Sequence, residues 1–387
     1  MDYMLPAKVR ELRQTASGIA EGVLAPMAET VDREGIWPEH SLKALADAGL
    51  TGLNVARRFG GHEEGLLALV AITEVLATAC SSSAICFGMH CVGTAVIAAK
   101  ATEFQENQYL RSIAAGKHIT TLALSETATG SHFFFPQTQL AADGDDYLVT
   151  GDKQFVTSGA HADSYVISTQ AEAGDALAGE FSCLILDKET PGVAWQAGWS
   201  GLGMRGNSSR GLALPGVRVP RDRLLGNDGD EIWFVFEVVA PYFLISMAGT
   251  YLGIAAKALS IATAHVKDRT YGHSGDRLAG EPVIQHRLAE LWLDVQKTRA
   301  LVYQAARSAD MAAEDAIALL IAAKADVADT AVKVTNEAMT LCGGIGYREN
   351  GELARLLRDA RAAHVMSPTT DILKQWLGRT VLGLPLL

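Results

Sequence analysis

The sequence predicts an α+β chain that is mainly α. It divides into an N-terminal helical domain over residues 1–118, a central β domain (a small barrel or sandwich) over 119–229, and a C-terminal four-helix bundle over 230–387. Apolar residues recur every three or four positions in both outer blocks, the helical period. The middle block instead carries short runs of β-branched and aromatic residues broken by Gly, Asp and Pro. The 387 residues are 49% hydrophobic and 20% charged, enough apolar material for one large core or two to three smaller ones.

In the first block, Val9, Leu12, Ala16, Ile19 and Val23 make an amphipathic stripe. Residues 41–50 repeat the pattern and end on Gly49-Leu50. The segment from Leu66 to Lys100 is rich enough in Ala, Leu and Val to predict buried helices. In the second block, ITTLALS, DYLVTG, KQFVTSG, SYVIST and FSCLILD read as strands. Gly151-Asp152 sits between two of them, where a tight hairpin turn would fall, and residues 143–146 read as a solvated hairpin tip. In the third block, Ile284, Leu288, Leu291 and Val295 form a stripe, and Glu314 to Leu341 is a long Ala-rich helix without Pro or Gly. Val238 to Ala256 is uncharged and long enough to suggest a membrane span. Its Pro, Gly, Ser and Tyr content, and a helical repeat continuing through His265, fit a helix buried within a bundle better.

The 44 acidic residues exceed the 33 basic ones, giving a net charge of −11. That balance argues against a nucleic-acid binder and against docking on anionic lipid. Five cysteines (Cys80, Cys86, Cys91, Cys183, Cys342) show no zinc-ligand spacing, and no metal site is expected. They read as reduced thiols of a cytoplasmic protein. The N-terminus has no apolar run behind a basic cluster, so no secretory signal is expected.

Motifs at the block boundaries resemble the acyl-CoA dehydrogenase superfamily, over essentially the whole chain. Residues 124–132, LSETATGSH, resemble the family's T-E-x-x-x-G-S-D segment, and residues 151–158, GDKQFVTS, its G-x-K-x-W-I-T-N segment. Residues 203–209, GMRGNSS, resemble G-x-R-G-S-D-T, and Val217 to Pro220 resembles the V-x-V-P that closes the domain. In the bundle, Asp268-Arg269, residues 285–291 (QHRLAEL), residues 342–347 (CGGIGY) and Arg358-Asp359-Ala360 follow in the family's order.

The resemblance implies a flavin, FAD with FMN as an alternative, between the β domain and the bundle. Leu124 and Ser125 would meet the pyrimidine edge, Gly130 and Ser131 the pyrophosphate, and Thr157 the ring near N5. Phe155 would stand as a flat wall where the family has Trp. Arg269, Gly343, Gly344 and Gly346 would clamp the pyrophosphate of a neighbouring subunit, implying a homotetramer or homodimer. A glycine C-cap and a solvated arginine are the plainer readings of those positions. The family's Gln three residues before the Gly pair is Thr340 here, and the turn after Arg269 is about two residues longer.

One expected residue is missing. Family dehydrogenases remove the proton alpha to a thioester with a glutamate nine residues after the arginine of the Arg-Asp pair; counted from Arg358, that position is Ser367. The alternative family position, on the first bundle helix, falls near Phe243, with the adjacent arginine near Leu244. A dehydrogenase of acyl-CoA thioesters is then expected to use a relocated base, for which Asp371, His364, Glu237 and His90 are candidates. The alternatives are a flavin monooxygenase of the same fold, which works through a C4a-hydroperoxide and needs no such base, or a non-catalytic subunit of a heteromer. The expected redox partner is an electron-transfer flavoprotein or a flavin reductase. Phe133, Phe134 and Phe135 read as a domain seam or a substrate wall, and His132 stands where the family has Asp.

Overall fold

The computed structural model describes residues 4–172 and 181–386. The N-terminal block is helical throughout: α1 (Ala7–Ile19), α2 (Ala25–Glu34), α3 (Glu39–Asp47), α4 (Leu66–Ala77), α5 (Ser81–Ala99), and the short α6 (Glu103–Gln105) and α7 (Arg111–Ala114). A π-helical turn over Ala20–Leu24 joins α1 to α2. Its wider turn shifts the buried face by one residue. Ala20 and Leu24 therefore enter the core after Ala16, while Ile19 and Val23 of the predicted stripe are only partly covered. Every residue of α4, and of α5 from Ser81 to Ile97, is buried, as the apolar run 66–100 requires.

The middle block folds as two four-stranded sheets. One orders β1 (Thr120–Ala123), β4 (Ser164–Gln170), β5 (Phe181–Asp187) and β8 (Leu224–Leu225); β1 and β4 are parallel. The other orders β2 (Gln139–Asp143), β3 (Asp146–Val156), β7 (Arg210–Pro220) and β6 (Ala194–Gly198), all antiparallel. A separate apolar core, including Tyr147, Val149, Tyr165, Ile167, Leu184 and Leu212, joins them as a small sandwich. The hairpin tip lies at Gly144-Asp145, with Gly144 at φ 63°. The turn expected at Gly151-Asp152 is not there: both residues sit inside β3, opposite Leu214 and Ala213 of β7. Gly151 serves close approach instead, since a Cβ would fall 2.6 Å from the Thr138 hydroxyl oxygen and 2.8 Å from its Cα.

The bundle is built from α9 (Ala240–Asp268), α10 (Pro282–Asp310), α11 (Ala316–Cys342), α12 (Glu352–Val365) and α13 (Thr370–Val381). The short α8 (Glu231–Trp233) and a π-helical stretch lead into α9. The uncharged stretch from Val238 begins at the end of that π-helical lead-in and continues in α9, which packs against α4, α5 and α11. It is an interior helix, as its composition predicts. The five cysteines are buried free thiols.

Polar clamps lock the blocks together. Both carboxylate oxygens of Asp310, at the end of α10, accept from the first free amides of α4, Leu66 N at 2.7 Å and Leu67 N at 2.9 Å. Glu74 of α4 accepts from Arg299 and Tyr303 of α10 at 2.8 and 2.6 Å. Arg358 of α12 forks onto the Asp32 carboxylate and also donates to Leu202 O. Its neighbour Asp359, 2% exposed, accepts from Met204 N at 2.6 Å and so ties the 203–209 loop to α12.

Burial pushes the Asp359 carboxyl up to about 6 from its ordinary 3.8, against the pull of the Met204 amide. The folded chain therefore holds this proton over a range where the unfolded chain has lost it. The associated stability is fully present below pH ~4 and is lost as pH rises through ~6. Asp359→Asn should remove a fall on the order of 3 kcal/mol between those limits. Urea unfolding midpoints of both proteins across pH 4–7 check this, and parallel curves would show that Asp359 does not titrate in the fold.

Candidate flavin and substrate site

A cavity of about 900 Å³ opens between the β domain, α5, the start of α9 and the α12–α13 junction. Its β wall begins with a buried ion pair. Lys153 of β3, 0% exposed, donates to Glu126 Oε1 at 2.6 Å and to Ser168 Oγ at 3.0 Å. Glu126 also accepts from Gln137 N, Thr138 N and the Thr138 hydroxyl. Burial alone would push the Glu126 carboxyl up; the Lys153 ammonium and the Thr138 and Gln137 donors hold it below the usual carboxylate range. Gln154 N donates to Ser125 O at 2.8 Å and the Thr127 hydroxyl to Asp152 Oδ2 at 3.2 Å, so residues 125–127 are fastened to β3.

That fastening presents one continuous surface. Leu124, Ser125, Gly130, Ser131, Phe155 and Thr157 all line the cavity. Phe155 stands at φ 56°, a conformation that costs a bulky residue about 1–3 kcal/mol, and the residue is 59% exposed. The next residues are held by the other loop: Ser158 N donates to Asn207 O at 2.9 Å and Gly159 N to Ser208 O at 3.1 Å. Gly130 is left-handed at φ 52°, and a Cβ there would meet nothing within 4 Å, so its backbone faces open space. An exposed aromatic plane, a nearly buried threonine beside it and an open glycine-serine backbone fit an isoalloxazine ring with its phosphate chain.

The opposite wall is apolar, with Ile85 and Met89 from α5, and Val239, Phe243, Leu244 and Met247 from the start of α9 and the turn before it. The aromatic trio divides its roles. Phe133 lines the cavity, Phe134 is buried against Phe236 and Trp376, and Phe135 meets Phe181. His132 is exposed and outside the lining.

Ser367 lines the cavity, as do Phe243 and Leu244, so both family positions for the base face inward and neither carries an acid. The relocated candidates are elsewhere. His90 is fully buried in α5, where Nδ1 accepts from Thr120 N at 3.2 Å and Nε2 donates to Thr51 O at 2.9 Å. Burial pushes its pKa down to about 4, and its neighbour Met89 takes the place at the cavity. It is a satisfied core histidine, not a base in the site. Asp371 sits exposed in the first turn of α13, outside the lining. His364 lies beside Ala328 O and Asp329 of α11, and Glu237 points to solvent while Phe236 lines the cavity. The one carboxylate among the described lining residues is Glu126, already engaged by Lys153.

Arg269, Gly343 and Gly344 are exposed and do not reach this chain's cavity, and Gly346 packs against Cys342 and Leu353. Residues not singled out from the sequence complete the mouth: Trp199, edge-on to Phe155 at 5.6 Å, with Leu202, Arg361 and Val365. Trp199 lies four residues before Gly203, in a stretch whose only signal was the tryptophan itself. Arg361 follows Arg358 by one helical turn and lay within reach of the same motif.

Profiles of the acyl-CoA dehydrogenase N-terminal, middle and C-terminal domains match residues 6–117, 121–219 and 244–382. The cyclohex-1-ene-1-carbonyl-CoA dehydrogenase of Geobacter metallireducens is 29% identical over 94% of this chain and 95% of its own. The short-chain-specific acyl-CoA dehydrogenase of Clostridium acetobutylicum is 27% identical over 97% and 98%. Among solved structures, butyryl-CoA dehydrogenase from Megasphaera elsdenii superposes with a TM-score of 0.93 at 26% identity, covering 99% of this chain and 100% of that one. An FAD complex of PigA, at 22% identity and a TM-score of 0.90 over 99% of this chain and 100% of its own, shares the fold. With a cavity wall that fits the flavin ring and phosphates, these likenesses place the chain in the acyl-CoA dehydrogenase family of FAD-dependent flavoprotein oxidoreductases.

Proposed function

We propose that the chain oxidises an acyl-CoA thioester across its α,β bond, with the acyl chain in the apolar half of the cavity. The observation that carries this reading is the sharing of one cavity by the Phe155–Thr157 wall and the apolar face of Met89, Phe243 and Leu244. FAD held by Ser125, Gly130, Ser131, Phe155 and Thr157 supplies a two-electron acceptor at that wall. The protein's own contribution is to exclude water with the α5 and α9 side chains, to hold the acyl chain against the wall, and to offer the Thr157 hydroxyl as a donor. Ser367 is a weak base. No free carboxylate among the described lining residues stands beside it to take the α-proton, so proton loss is the step that this wall supports least.

The same serine favours a second reading, oxygenation by reduced flavin, which removes no α-proton. Arg269 and the Gly343–Gly344 turn, exposed in the single chain, support assembly with further copies in which they meet a neighbour's cofactor. Exposed Val283, Trp292 and Leu293 on α10 and Tyr347 beyond α11 add apolar surface for it. Light scattering on the yellow protein should give a dimer or tetramer, and a fully flavinated monomer would overturn that assembly. An electron-transfer flavoprotein is the proposed oxidant of the reduced enzyme.

Anaerobic mixing with a panel of acyl-CoAs should discharge the flavin colour, and Thr157→Ala should slow this roughly tenfold without unfolding the chain. A colour that persists with every acyl-CoA, together with oxygen uptake and an oxygenated product after chemical reduction, would replace this reading with the second. Neither signal until another chain is added would make the protein a partner subunit.

A further inference from the structure

Lys324, in the middle of α11, is 0% exposed. Its Nζ lies 2.8 Å from Ala363 O, 2.9 Å from Pro368 O and 3.3 Å from Met366 O. An ammonium has three N–H donors and no acceptor, so three converging carbonyls satisfy it completely. Ala363 lies in the last turn of α12, whose terminal carbonyls lack helical partners, and a cation is favoured at that end. The other two carbonyls bracket Ser367. A second tether comes from α9, where the Tyr251 hydroxyl lies 2.9 Å from Met366 Sδ. Met366, Ser367 and Pro368 all line the cavity.

No carboxylate among the described residues lies within ion-pair distance of Lys324, and burial pushes its pKa down to about 7. Removing a cation from water without a counter-ion is costly, and what offsets that cost here is the set of three carbonyls held around Nζ. Two of the carbonyls that Lys324 engages, those of Met366 and Pro368, belong to the segment that carries Ser367 on the cavity wall.

We propose that Lys324 is a positioning residue, which holds the Met366–Pro368 segment so that Ser367 faces the substrate at the point where the family carries its base. This rests on the reading of the cavity as an acyl-thioester site. It assigns to a residue outside the cavity lining the shape of the wall nearest the reacting carbons.

The test uses the full-length, FAD-loaded protein with Lys324→Met and with Lys324→Gln, which keeps two donors if the methionine variant does not fold. Three readouts are compared with wild type: backbone hydrogen exchange over residues 363–369, the visible circular dichroism of the flavin, and kcat and KM with the best acyl-CoA. The expected result is retained FAD, faster exchange confined to 363–369, a changed flavin dichroism, and a roughly ten- to hundredfold lower kcat at nearly constant KM. A folded variant with wild-type exchange in that segment and wild-type kcat would overturn the proposal. So would loosened exchange across the whole bundle, with FAD content, kcat and KM declining together, since that pattern marks a purely structural lysine. If the wild type oxidises no acyl-CoA, the reading of the substrate fails, but exchange and flavin dichroism still decide whether Lys324 sets this wall.

Discussion

The site depends first on the ion pair between Lys153 and Glu126, with both side chains almost wholly out of water. Breaking a buried pair by removing one partner leaves an uncompensated charge, at a cost of about 3–5 kcal/mol. Here the pair is satisfied on all sides. Glu126 gathers the Gln137 and Thr138 donors, and Lys153 reaches across to Ser168 on the other sheet. One interaction thus joins the 124–131 segment, β3 and β4. Phe155 and Thr157 follow directly on β3, and Gly130 and Ser131 on the segment, so the flat ring, the hydroxyl and the open backbone keep a fixed mutual geometry. The uncommon backbone of Phe155 persists because strand pairing on one side and the Asn207 and Ser208 carbonyls on the other over-determine it.

The bundle meets this wall from the opposite direction through different physics. The α5 and α9 faces are uniformly apolar and close-packed, which gives the cavity its dry half. Polar clamps then fix the parts: Asp359 ties α12 to Met204 of the β domain, while Arg358 to Asp32 and Asp310 to the start of α4 tie the bundle to the N-terminal helices. At the position where the resemblance implies an acid the chain has Ser367, and no free carboxylate stands beside it among the described lining residues. The histidine and carboxylates nearest in sequence are engaged in the core or turned to solvent. Among the described residues the cavity therefore has an apolar half, a polar β wall and one carboxylate, Glu126, which is already engaged.

Much of this was legible in the sequence, for identifiable reasons. Helical periodicity and β-branched runs reflect burial, so the three-block order and the interior character of the stretch from Val238 followed directly. That Leu124, Ser125, Gly130, Ser131, Phe155 and Thr157 share one wall was legible because they lie close in sequence: a segment and a strand carry them, and local spacing is preserved through folding. What failed was what depends on three dimensions. Gly151-Asp152 resembles a turn locally, yet its strand continues because Thr138 needs the space a side chain would occupy. His90 is one residue from the cavity-lining Met89, and a 100° step around α5 turns it into the core. The stripe through Ile19 and Val23 missed a π turn that periodicity cannot see. Trp199, Val365 and Lys324 come from separate elements and share no motif with what they serve.

The central claim is that the Phe155–Thr157 wall is a flavin seat completed by the Gly130–Ser131 backbone. The most direct measurement is the identity and amount of nucleotide released on heat denaturation of the purified protein, after incubation with excess FAD and FMN and removal of the unbound material. The account predicts FAD at about one per chain, the stoichiometry of a single built site. A colourless protein that retains neither nucleotide, or one that retains FMN in preference, would contradict it.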